Sequence, residues 1–170
     1  MSIVTVVGNP RAGSRTLDAA VAATDAVAAR LGHSGTREVV DLSALAPVLL
    51  HPGAHAALEL AFEQLAAARV VVLASPTYKA TYTGLLKVFL DRLPPGVAHD
   101  QDRQRGRGGE RARHALAVEV HFRPLLVELG AFVPTPGLAL LESELPGGER
   151  LTRWADQVGP QLTAWDAALT

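Results

Sequence analysis

Two hydrophobic periods alternate along this chain, and the alternation predicts an architecture. Ile3 to Val7 is a short β-branched run stopped by Gly8, and a strand apolar on both sides belongs inside a parallel sheet. The period then changes: Leu17, Val21, Val27, Ala28 and Leu31 return at helical spacing, with Gly32 as the stop. Glu38 to Val40 reads as a second strand, followed by a Pro-containing connection around Pro47 and Pro52. Leu58, Ala61, Phe62 and Leu65 mark a second amphipathic helix, and Val70 to Ala74 is the third and most apolar strand. Leu85 to Leu93 is helical but apolar on two faces (Leu85, Val88 and Phe89; Leu86, Leu90 and Leu93), more than one sheet can cover, so a subunit interface is expected there, with Leu86 and Leu90 in it. A helix from about Ala115 to Leu129 carries Val118, Phe122, Leu125, Leu126 and Leu129, with Pro124 as a kink. Leu138 to Leu141 offers a last strand. Leu151, Trp154, Ala155, Val158, Leu162 and Trp165 form a closing helix disturbed by Pro160, with both tryptophans on its apolar face as core. Strands alternating with helices through right-handed crossovers give a doubly wound α/β sandwich.

The 170 residues suit one domain over 1–170, large enough to bury roughly 70% of its unfolded surface without disulfides or a structural metal. Cysteine is absent, which excludes thiolate chemistry. Sixteen basic residues against 17 acidic ones offer no electrostatic case for nucleic acid or an anionic membrane. The apolar stretches are all interrupted, so no bilayer span is expected, and without a charged-then-apolar leader the expected location is the cytoplasm. The six histidines show no ligand spacing with carboxylates, so no metal site is expected.

One stretch breaks the alternation. Between Pro95 and His114 a buried fourth strand is due, yet from His99 to Arg113 the only apolar residue is Ala112. Five unpaired arginines cannot lie between two helical layers, since each buried ion would cost several kcal/mol. Two readings stay open: a solvated loop, or a Val/Ala strand read out of frame, because Arg and Gly codons of a GC-rich gene shifted by one nucleotide decode largely as Val, Ala or Gly.

Two loops carry chemistry. Gly8-Asn9-Pro10-Arg11-Ala12-Gly13-Ser14-Arg15-Thr16 joins the first strand to the first helix, and in open α/β sheets ligands bind beyond the carboxyl ends of the strands, where a helix N-terminus offers free N–H groups to a phosphate. Arg11, Arg15, Ser14 and Thr16 add cations and hydroxyls. The plainer alternative is that Ser14 or Thr16 only caps the helix, worth about 1 kcal/mol, with the arginines solvated. The loop nearly spells a nucleotide-triphosphate loop, but Ser14 stands where the lysine should be and no Asp closes the third strand to hold magnesium, which argues against an NTPase. The second loop, Ser75-Pro76-Thr77-Tyr78-Lys79-Ala80-Thr81-Tyr82-Thr83-Gly84, follows the third strand and holds both tyrosines of the chain. Its aromatics and backbone N–H groups suit a flat heterocycle, against the alternative of a Pro-initiated turn capped at Thr83. A phosphate site beside an aromatic, hydrogen-bonding site has the shape of a flavin mononucleotide (FMN) cradle at a switch point.

With GNPRAGSRT at the first loop, SPTYKATYTGLLKVFLDRLP after the third strand and HALAVEVHFRPLLVELGA around His114 to Ala131, the chain resembles the flavodoxin-like NAD(P)H-dependent FMN reductases, especially those serving two-component monooxygenases such as alkanesulfonate desulfonation systems. The resemblance implies a five-stranded parallel sheet of order 2-1-3-4-5 and hydride transfer from NADPH or NADH to FMN. It implies that reduced flavin passes to a partner monooxygenase. The alternatives are an FMN-binding protein without turnover and a flavin-retaining quinone or azo reductase. It also implies that Asn9, Arg11, Ser14, Arg15 and Thr16 hold the FMN phosphate, that Pro76, Thr77, Tyr78 and Lys79 lie along the flavin, and that Gly108 and Gly109 fall near a glycine-containing loop beside it. A tyrosine at Tyr82 is associated in the sulfonate-linked branch with a π-helical insertion at a tetramer interface, so a homodimer or homotetramer is expected. Hydride transfer is cofactor chemistry, and no side chain need be catalytic.

Overall fold

The computed structural model describes residues 2–94 and 118–168. Strand β1 (Ile3–Val7) lies between β2 (Arg37–Asp41) and β3 (Val70–Ala74), all parallel, in the order β2-β1-β3. Ile3 stands opposite Arg37 and Val70, and Val7 opposite Asp41 and Ala74. Every residue of β1 is buried, as a central strand covered on both faces requires. Its side chains alternate between two cores. Val4 and Val6 meet Leu42, Leu45, Leu58, Leu86 and Phe89 on one face, while Ile3 meets Val27, Ala28, Val158 and Leu162 on the other. Thr5 faces the second core, where its hydroxyl lies 2.6 Å from that of Thr24. Thr24 donates its own proton to the Ala20 carbonyl at 2.9 Å, so Thr5 is the donor of the pair.

Helix α1 (Arg15–Arg30) covers the second face together with the closing helix described below. The first face is covered by α2 (Leu42–Leu49), α3 (Ala56–Ala67) and α4 (Gly84–Asp91). The chain resumes as a π-helical turn at Val118–Phe122, continues as α5 (Arg123–Glu128), passes a 3-10 turn at Glu142–Glu144 and closes with α6 (Gly148–Ala168), which runs through Pro160.

Several expectations need correction. Helix α2 stands where the sequence reads as a Pro-containing connection. Asp41 caps it by accepting from Ser43 N–H at 3.0 Å, Leu42, Leu45 and Leu49 bury its apolar stripe, and Pro47 sits inside it. The end of the helix is held from afar: Arg92 Nη1 donates to the carbonyls of Val48 and Leu49, at 3.1 and 2.9 Å, and Nη2 to that of Gly53 at 2.9 Å. The apolar excess of α4 has the same origin. Leu86 and Leu90, expected at a subunit interface, are 0% and 2% exposed within the single chain, because α2 and α3 cover the side of α4 that the sheet does not. The helix expected over Ala115 to Leu129 is a π-turn followed by a short α-helix with Pro124 in its first turn, where a missing N–H costs nothing. The π-turn does not lie at Tyr82; the Tyr82 ring meets it edge-on through Phe122, with centroids 5.1 Å apart. Leu138 to Leu141 forms no strand among the described residues. The position of the expected fourth strand, with Gly108 and Gly109, lies outside the described residues.

Candidate functional site

Both loops emerge from carboxyl ends of the sheet, and one joint locks them together. Gly8 N–H donates to the Ala74 carbonyl at 2.7 Å, and Thr83 Oγ1 donates to the Gly8 carbonyl at 2.6 Å while accepting from Leu86 N–H at 3.2 Å as the N-cap of α4. Ser75 Oγ accepts from Thr83 N–H at 3.0 Å and donates to the Pro76 carbonyl at 2.9 Å. The end of β1, the loop after β3 and the start of α4 are therefore tied together by hydrogen bonds.

Within the first loop Asn9 is a brace. It is 7% exposed; its Oδ1 accepts from Arg11 N–H at 3.0 Å and its Nδ2 donates to Thr16 Oγ1 at 3.0 Å. Gly13 turns the chain with φ 61°, a conformation costly for any residue carrying a Cβ. Ser14 then caps α1, its Oγ accepting from Leu17 N–H at 3.2 Å. In both Ser14 and Thr16 these bonds occupy a lone pair and leave the hydroxyl proton to give, beside the unpaired N–H groups that begin every helix. With Arg11 and Arg15 alongside, this end of the site fits an oxyanion such as a phosphate.

The second loop carries a two-residue hairpin turn. Tyr78 N–H donates to the Thr81 carbonyl at 2.8 Å and Thr81 N–H to that of Tyr78 at 3.2 Å, while Lys79 and Ala80 take φ 50° and 71°, the signature of a type I′ turn. Neither residue is the glycine or asparagine such a turn prefers, so the loop tip is strained. Tyr78 remains 45% exposed.

Among the described residues Asn9, Arg11, Ser14, Arg15 and Thr16 line the same cleft as Pro76, Thr77, Tyr78 and Tyr82, and the lining continues along β3 from Val70 to Ala74. Lys79 is not among the residues that line the cleft.

A third wall was not anticipated from the sequence. Residues 131–142 run along the cleft, held by Arg123, whose Nη1 donates to the Val133 carbonyl at 2.7 Å and Nη2 to the Thr135 carbonyl at 2.8 Å. Glu119 orients that guanidinium, accepting from Nε at 2.6 Å, and also accepts from Gly137 N–H at 3.2 Å. The hydrogen bond from Arg123, the Gly137 N–H and the Arg123 charge hold the Glu119 carboxyl below the usual range against the opposing effect of burial. Trp154 packs against the second core as expected, and both tryptophans also buttress this wall. Trp154 Nε1 donates to the Pro136 carbonyl at 2.8 Å, and Trp165 stacks on Phe132 with centroids 6.2 Å apart. At the far end Glu142 reaches Arg15, Oε1 to Nη2 at 2.6 Å. The i to i+4 spacing of Glu119 and Arg123 is readable in sequence, but the carbonyls they serve are not.

A profile of the family described as NADPH-dependent FMN reductase matches residues 1–144. The chain belongs to this family. The reductase is 32% identical over 129 residues to an FMN reductase (NADPH) of Pseudomonas aeruginosa, covering 72% of this chain and 67% of that protein. It is also 32% identical over 147 residues to the NADH-dependent FMN reductase SfnF of Pseudomonas putida, covering 80% and 75%. Among solved structures it resembles an oxidoreductase from Corynebacterium diphtheriae, with a TM-score of 0.72, 26% identity, and coverage of 96% of this chain and 98% of that one. The fold is thus flavodoxin-like, and the β2-β1-β3 order is that fold's first half.

Proposed function

We propose that this NAD(P)H:FMN oxidoreductase binds FMN as an exchangeable substrate in the cleft and hands the reduced flavin to a partner monooxygenase. The observation that carries the reading is the pairing of an oxyanion-binding helix start, Arg11 to Thr16, with the loop of Pro76, Thr77 and Tyr78, both leading from one joint at Gly8 and Thr83. Bound FMN supplies the redox chemistry, accepting a hydride from reduced nicotinamide.

The protein's part is positional. Arg11, Arg15 and the Ser14 and Thr16 hydroxyls neutralise and orient the phosphate, Asn9 keeps Thr16 aimed, and Tyr78 covers one face of the ring, with Lys79 at the edge of the site. The openness of the loops to solvent supports release of the flavin after reduction. Val120 and Val127, 52% and 60% exposed on the segment that meets Tyr82, support a homodimer or homotetramer.

The test is spectroscopic. FMN absorbance is expected to bleach when NADPH or NADH is added anaerobically, and no bleaching with either nucleotide refutes the enzyme reading. In steady-state kinetics FMN should saturate as a substrate, and protein passed through a desalting column should emerge colourless. Flavin that stays bound and reduces a quinone or azo dye instead would refute the supply of free reduced flavin.

A further inference from the structure

Arg15 already has an anion on it. Its Nη2 lies 2.6 Å from Glu142 Oε1, and the two side chains are 65% and 76% exposed. Both residues line the cleft, Arg15 from the first helical position of α1 and Glu142 from the end of the third wall. Glu142 is presented by a braced turn. Glu144 N–H donates to the Leu141 carbonyl at 2.9 Å, and the Glu144 carboxylate accepts from Leu141 N–H at 2.6 Å and from Arg150 Nη1 at 3.3 Å. The Glu142–Arg15 pair therefore does not depend on a wandering loop.

The Glu142 carboxylate offsets part of the Arg15 charge and occupies its Nη2, so a phosphate must displace it to use that nitrogen. We propose that Glu142 is a specificity-determining residue that competes with the flavin phosphate for Arg15 and so keeps FMN loosely held and exchangeable. This deepens, and rests on, the phosphate reading of the first loop. An exposed carboxylate suits the task. Its ion pair is weak enough for a phosphate to displace, yet strong enough to offset part of the binding. Riboflavin, lacking the phosphate, should be indifferent to it.

The experiment measures FMN and riboflavin dissociation constants by fluorescence quenching at low salt for the wild type, Glu142→Gln, Arg15→Ala and the double variant. Glu142→Gln is expected to bind FMN about two- to fivefold more tightly, with riboflavin unchanged. In the Arg15→Ala background the gain should shrink below about twofold, since the competition then has no object. The difference between wild type and Glu142→Gln should narrow as salt rises. An unchanged FMN affinity, an equal gain for riboflavin, or an undiminished gain without Arg15 would each overturn the proposal. A wild type that does not distinguish FMN from riboflavin would overturn the phosphate reading itself. A wild type that does distinguish them beside an inert Glu142→Gln would remove only the competition.

Discussion

Gly8 and Gly84 flank the joint between the two loops, and replacing each by alanine should act in opposite directions. A Cβ on Gly8 would lie 2.7 Å from Leu86 Cβ, 3.3 Å from its Cγ and 3.4 Å from its Cδ1. Carbon atoms settle at about 3.5–4.0 Å. No rotamer of Leu86 relieves the closest contact, because Cβ precedes the first side-chain torsion, and Leu86 is fully enclosed in the core. The backbones must therefore separate by about 0.8 Å. That displacement acts on the 2.7 Å bond to Ala74 and the 2.6 Å bond from Thr83. Overpacking costs about 1–3 kcal/mol and a weakened buried hydrogen bond about 0.5–1.5, while the entropy lost from the unfolded chain returns about 0.4–1. A net loss of about 1–3 kcal/mol is expected, read as a lower urea midpoint at constant slope, with FMN affinity falling alongside. Gly84 has nothing within 4 Å of its Cβ position and stands at the first position of α4, so alanine there should be neutral or gain up to about 0.5 kcal/mol. The reasoning is refuted if Gly8→Ala stays within about 0.5 kcal/mol of wild type, or if Gly84→Ala does equal damage.

Three further outcomes are expected. Thr24→Val leaves the buried Thr5 hydroxyl without its acceptor and should cost about 1–3 kcal/mol, whereas Thr5→Val should cost less because Thr24 keeps its bond to Ala20; equal losses in chemical denaturation would reject this assignment of the proton. Arg123 lowers the Glu119 carboxyl below its ordinary value, so its contribution to stability is present above about pH 4.3 and disappears as pH falls through the lowered folded value. Glu119→Gln should therefore flatten the acid side of the stability profile measured by urea midpoints, and an unchanged slope would count against the Arg123 clamp. Ala80→Gly relaxes a residue held at φ 71° and should raise stability by about 0.5–1 kcal/mol in a thermal melt; a loss would show that the turn is not strained at that residue.

The sequence by itself determined what depends on neighbours along the chain. The β-branched run of β1, the 3.6-residue period of α1 and α3, the cap at Thr83 and the position of both loops at strand ends were all legible, because period and capping act over a few residues. The Gly8 to Thr16 loop announces its helix N-terminus and its cations together, which is what motivates the proposal of a phosphate there. The tertiary structure alone decided whatever is joined across distance. Helix α2 forms despite Pro47 because Arg92, far along the chain, supplies donors to the carbonyls that end it. The second apolar face of α4 looked like an interface only because the helices that cover it could not be placed from α4's own periodicity. The third wall of the cleft, and the carboxylate it sets on Arg15, depend on side chains satisfying backbone groups many residues away, and no local period records such a pairing.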